Sequence, residues 1–248
     1  MVYNDPMDDM APIETVKKLV LLPGMDGTGE LFQPLVEALG GRIQTEVLDY
    51  PAHERLTYPE LIARVAEQIP HDGTDFALLA ESFAGPIGLT LAQRHHPGLR
   101  GLILAVTFAI PPRKQLLQLT RLLPMPWLLA QPIPCWVAGR VMMGPKPPKD
   151  RLDALCSVMK KMDPAVIASR VEEVRDLELD PSDIEIPVMY IQATDDLLLP
   201  ETAVEEVRHF VQHLTVHRLE GGHLVLETQA DLAADLVTDF LRAIPAAA

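Results

Sequence analysis

Ser82, the pair Asp195–Asp196 and His223 are the residues whose types and placing could do chemistry together. A serine hydroxyl becomes a nucleophile only when a base takes its proton, and the base needs a third group to fix its tautomer. Ser82 lies in Phe76-Ala77-Leu78-Leu79-Ala80-Glu81-Ser82-Phe83-Ala84-Gly85, where an apolar strand-like run arrives at a lone serine and a small-residue helix leaves it. A strand–turn–helix this sharp needs small side chains two positions either side of the nucleophile, usually as Gly-x-Ser-x-Gly. Here those positions hold Ala80 and Ala84, with Gly85 one place later. His223 ends Leu219-Glu220-Gly221-Gly222-His223, and the aspartates follow Ile191-Gln192-Ala193-Thr194. Singly, each also fits an ordinary role: a polar strand end, a loop imidazole, a solvated turn or cap of the next helix. Together they stand at the carboxyl ends of three expected strands, where α/β sheets collect their functional groups.

The elements that must position them alternate. Apolar runs predict strands at 16–22, 43–48, 75–80, 102–106, 187–193 and 215–219. Amphipathic patterns predict helices at 30–39, 58–69, 83–95, 201–211 and 230–244. Such alternation implies an α/β fold with a mainly parallel sheet and right-handed crossovers. From 111 to 185 the alternation stops, and helices are expected at 113–123, 127–143 (broken by prolines), 150–162 and 165–179. The expected organisation is a core of 1–110 and 184–248 with a helical cap of 111–183. Residues 122–139 carry no charge, but Pro124, Pro126, Pro132 and Pro134 interrupt any spanning helix. A buried subdomain core or a lid over a cleft fits them, and Trp127 and Trp136 are the candidate substrate-binding side chains.

The first expected strand runs into Leu22-Pro23-Gly24-Met25-Asp26-Gly27-Thr28-Gly29. It lacks both Gly-x-Gly-x-x-Gly and a Lys-Ser or Lys-Thr pair, so it reads as a turn offering backbone N–H groups rather than a phosphate cradle. The whole arrangement after residue 15 resembles the α/β-hydrolase superfamily. The resemblance implies about six strands, lacking the family's first two, with an inserted cap. It implies Ser82 as nucleophile, His223 as base, and Asp196 as the acid because Pro200 stands four residues after it. It also implies an oxyanion hole from the N–H groups of Met25 and Phe83, with Pro23 standing where the family usually has His. The turn and the Ser-Phe-Ala-Gly elbow look like small bacterial esterases related to pimeloyl-carrier-protein methyl ester esterases. The expected activity is hydrolysis of carboxylic esters or thioesters of apolar acyl groups through an acyl-enzyme. A similar turn occurs in plant phytyl ester synthases, which leaves open acyl transfer to an alcohol at the same site. A non-catalytic binding protein of this fold is the third reading.

Composition sets the outer bounds. A chain of 248 residues, 48% hydrophobic, suits one large α/β domain with an insertion and argues against disorder. A net charge of −14 argues against nucleic acid, and against an anionic membrane surface, as the main partner. Cys135 and Cys156 have no metal-ligand spacing and read as reduced thiols of a cytoplasmic protein. The first fifteen residues lack the cationic start and apolar run of a secretory leader. His209 and His213 are four apart, but no Glu follows His209, so they read as an exposed helix face rather than a metal site. Glu81 reads as a structural contact. No metal, nucleotide or flavin is expected; the expected partner is a small ester or thioester, with the oligomeric state left open.

Overall fold

The computed structural model describes residues 13, 15–180 and 182–245. The leader-free reading of the first fifteen residues therefore falls almost wholly outside the described residues. One sheet of six parallel strands forms the centre, in the order β2-β1-β3-β4-β5-β6. The strands are β1 (Lys18–Leu22), β2 (Gln44–Val47), β3 (Phe76–Glu81), β4 (Leu99–Ala105), β5 (Val188–Ala193) and β6 (Leu214–Leu219). Every residue of β3 and β5 is buried, as strands covered on both faces must be. Helices α1 (Gln33–Leu39) and α11 (Ala230–Ala243) pack together, as do α2 (Tyr58–Gln68) and α3 (Gly85–Gln93). The α2 start is fixed by a capping box in which Thr57 and Glu60 satisfy each other's backbone N–H groups.

Where elements depart from expectation the causes are local. β4 begins at Leu99 rather than 102 because Leu99 and Gly101 already pair with Phe76 and Ala77. Gly101 weakens the strand signal, yet a Cβ there would lie 2.6 Å from Ile244 Cδ1 and 3.2 Å from Phe240 Cε1, so its bareness lets α11 pack on the sheet. The helices expected at 30–39 and 83–95 each open with a 3-10 turn, Glu30–Phe32 and Ser82–Ala84. The helix expected at 201–211 is α9 (Ala203–Val207) followed by a 3-10 turn, Arg208–Phe210.

Between β4 and β5 lie α4 (Lys114–Leu119), α5 (Met125–Leu129), α6 (Cys135–Met143), α7 (Lys149–Lys161) and α8 (Pro164–Arg175). The prolines divide α5 from α6 as expected. The reading of the cysteines is corrected here: α6 packs on α7, bringing the Cα atoms of Cys135 and Cys156 to 5.6 Å, and the two residues are joined as a disulfide. The inference of a reducing compartment from two separate thiols therefore loses its basis.

Candidate active site

β3 carries Ser82 to the top of the sheet and hands the chain to a 3-10 turn without a spare residue. Ser82 has φ 51°, a left-handed conformation that costs a non-glycine residue free energy and that marks a nucleophile elbow. The Thr107 hydroxyl, just beyond β4, donates to the Ser82 carbonyl and pins the turn. A Cβ at Gly85 would overlap the Thr107 side chain, and one at Gly88 would lie 2.9 Å from Ala80 Cβ. The close approaches thus fall at Gly85 and Gly88, which is why alanines at 80 and 84 are tolerated. Beneath the turn, Tyr58 stacks on Phe83 with ring centroids 4.7 Å apart and donates its hydroxyl to the Phe83 carbonyl at 3.0 Å.

Ser82 Oγ lies 2.7 Å from His223 Nε2, and His223 Nδ1 lies 2.7 Å from Asp196 Oδ2. Because Nδ1–H donates to the carboxylate, Nε2 is left to accept from the serine hydroxyl. The other Asp196 oxygen, Oδ1, accepts from the N–H groups of Leu198 at 2.8 Å and Leu199 at 3.0 Å. Burial opposes ionisation of Asp196, but the His223 hydrogen bond and charge and these two N–H groups outweigh it and hold its pKa below the ordinary value. Asp195 points elsewhere: it is exposed, accepts from Thr194 Oγ1 at 2.9 Å, and its N–H donates to the Gly221 carbonyl at 2.8 Å. That bond ties the loop after β5 to the loop carrying His223. On the far side, the Leu224 N–H donates to the Met142 carbonyl at 2.9 Å, so the end of α6 braces the histidine loop.

The turn after β1 lies against the serine, an added Cβ at Gly24 falling 3.6 Å from Ser82 Cβ. Asp26 holds it by accepting from the Thr28 N–H at 2.9 Å and hydroxyl at 2.6 Å. Phe83 begins the helix beyond the elbow, where backbone N–H groups lack intrahelical acceptors. Phe83 thus adjoins Ser82 directly, and Met25 follows the glycine that lies against the serine. Sequence reasoning missed Arg170, which reaches down from α8. Its Nη1 donates to the Met25 carbonyl at 2.7 Å and its Nη2 to the Pro51 carbonyl at 3.3 Å, while the guanidinium lies over the Tyr50 and Phe83 rings. Gly27, at φ 73°, makes this reach possible, since a Cβ there would come within 2.6 Å of Nη1. Its only sequence signal was a cation at a position the helix buries, which spacing alone does not flag.

Two further carboxyl groups lie under the site. Glu81, next to Ser82, and Glu227, one turn after His223 on the short helix α10 (Val225–Thr228), are both buried. Burial lifts Glu81 well above the carboxylic range, with the neighbouring Glu227 and Asp26 charges adding to it. Burial likewise pushes Glu227 up to about 8. Neither Glu227 oxygen nor Glu81 Oε1 has a hydrogen-bond partner among the described residues, so burial favours the protonated carboxyl in both.

Trp127 and Trp136 stand largely in solvent, 64% and 68% exposed. A separate apolar cluster joins Leu31 after the β1 turn and Leu224 after His223 to Met143, Leu155 and Val158, with Met142 packed alongside. His209 and His213 do not share a helix, because the 3-10 turn holding His209 ends at Phe210.

The class these features define is that of enzymes with a serine at the tip of a β-strand and a histidine and carboxylate at later strand ends. The chain belongs to the alpha/beta hydrolase family, whose sequence profile matches residues 19–236. It is 32% identical over 130 residues to phytyl ester synthase 1, chloroplastic, of Arabidopsis thaliana, a match spanning 49% of this chain and 18% of that protein. The fold is shared with an esterase (EaEST) from Exiguobacterium antarcticum: TM-score 0.72, 14% identity, 92% of this chain and 93% of that one. It is also shared with the type II thioesterase BorB from the borrelidin biosynthetic cluster: TM-score 0.67, 19% identity, 94% of this chain and 96% of that one.

Proposed function

We propose that the chain is a serine hydrolase that cleaves carboxylic esters or thioesters of apolar acyl groups through an acyl-enzyme. The observation that carries this reading is the hydrogen-bonded relay from Ser82 Oγ through His223 to Asp196, set on a backbone turn with φ 51°. Ser82 Oγ attacks the acyl carbon as its proton passes to His223 Nε2; Asp196 holds the tautomer and stabilises the imidazolium. The N–H groups of Met25 and Phe83 receive the oxyanion. The imidazolium then protonates the leaving alcohol or thiol, and water activated by His223 releases the acid.

Residues 111–183 act as a cap in this reading, and the acyl chain lies against Leu31, Met142, Met143 and Leu224. A p-nitrophenyl ester series assayed on wild type and Ser82→Ala tests it. Each methylene buried contributes about 0.8 kcal/mol, so kcat/KM should rise by up to about fourfold per methylene until the pocket is full. Ser82→Ala should be inactive throughout. A flat series, or a preference for charged acyl groups, contradicts the apolar pocket. The local identity with a protein named phytyl ester synthase favours a second reading, acyl transfer to an apolar alcohol by the same residues. Product analysis with a long-chain alcohol present separates the two, since only transfer yields the new ester.

A further inference from the structure

Among the described residues, every large apolar side chain that is exposed, Val47 and Leu232 apart, falls within 110–136 or at Leu197 and Leu198. α4, the 3-10 turn after it and α5 contain no buried residue at all, although they are rich in leucine. They stand on the outside of α8, with Leu116, Leu119, Leu122, Trp127, Ile133 and Trp136 facing solvent; Leu122 is 82% exposed. The net charge of −14 hides a second asymmetry, because residues 82–149 contain no Asp or Glu. Arg113, Lys114, Arg121, Arg140, Lys146 and Lys149 lie within or beside the apolar stretch. Arg121 pairs with Asp176; the other five have no ion-pair partner among the described residues. Arg113 donates to the carbonyls of Leu197 and Leu198, which joins this surface to the loop carrying Asp196.

We infer that this face of the cap docks on an anionic lipid surface, lying in the interface with its tryptophans and leucines among the acyl chains and its cations at the headgroups. Tryptophan and leucine flanked by lysine and arginine is the composition of an interfacial segment. A second copy fits poorly, since a two-fold contact would set like charges against each other. The expectation drawn from whole-chain charge is thereby reversed for this face. Docking would bring the loop that carries Asp196 towards the lipid, and it is measured without turnover, so its failure and that of the hydrolase reading are separable.

Trp127 and Trp136 are the chain's only two tryptophans, so their emission reports this face alone. The 248-residue chain is mixed with vesicles of phosphatidylcholine, with or without phosphatidylglycerol, and followed by tryptophan emission and co-sedimentation. The expected result is a blue shift and binding with the anionic vesicles only, weakened by salt and retained in Ser82→Ala. The triple variant Arg140→Gln, Lys146→Gln, Lys149→Gln should bind roughly 100-fold more weakly. Trp127→Gln with Trp136→Gln, folded by circular dichroism, should sediment less. No binding to anionic vesicles at low salt, or equal binding to both compositions, overturns the inference. So does a blue shift produced by self-association without lipid.

Discussion

Asp195 and Asp196 are neighbours with opposite surroundings, and the contrast can be tested one residue at a time. Asp196 is buried against His223 and takes two backbone N–H groups; Asp195 faces solvent. Asp196→Asn keeps the shape but leaves the imidazole in the wrong tautomer, so kcat should fall by at least about two orders of magnitude. Asp195→Asn should run near wild type. Steady-state kinetics on both folded variants decides it, and the reverse ranking would contradict the assignment. The buried Glu227 predicts a pH effect of definite sign. Its pKa rises from 4.5 to about 8 on folding, chiefly through burial. Between those values the native state keeps a proton that the unfolded chain has lost, so stability falls as pH rises through that window and levels off above it. Glu227→Gln should flatten the melting temperature against pH over the same range. An unchanged slope would mean that another group carries the dependence.

At the scale of elements, the site depends on α8 reaching the turn after β1. Arg170 is the link, and Lys cannot replace its two-pronged reach to the carbonyls of Met25 and Pro51. With Met25 as the proposed oxyanion donor, Arg170→Met should lower kcat/KM by between about 10- and 100-fold with the fold intact, because small displacements of such a donor are costly. Arg170→Lys should recover only part, and full activity in Arg170→Met would show that the turn holds its place alone. The elbow predicts another loss: Gly85→Ala drives a methyl into Thr107 and should destabilise the protein by about 1–3 kcal/mol, read by chemical denaturation. The strands and helices around these features were legible because apolar runs and amphipathic stretches alternate cleanly. Ser82, His223 and the Asp195–Asp196 pair were legible because each follows a strand; Asp196 was singled out only by resemblance, through its distance to Pro200. Arg170 and the Glu81–Glu227 pair were not, since their meaning lies in contacts between segments far apart in sequence.

At the scale of the whole molecule, averages hid what matters. A net charge of −14 concealed a stretch from 82 to 149 without a single acid. The count of two cysteines suggested separate thiols, yet the packing of α6 on α7 joins them. Hydrophobic content suggested a buried cap interior around Trp127 and Trp136, but a short proline-broken segment lying outside α8 has too little chain over it to bury them. The sheet, by contrast, follows from local pattern alone, and it sets Ser82, Asp196 and His223 beyond the carboxyl ends of three strands. At the centre of the proposed mechanism, Ser82 is a nucleophile activated by His223. Intact-mass spectrometry with peptide mapping after treatment with a fluorophosphonate tests it most directly. One adduct is expected, on Ser82, absent in Ser82→Ala and formed at least about 100-fold more slowly in His223→Ala. No adduct on the folded wild type, or an adduct on another residue, would contradict it.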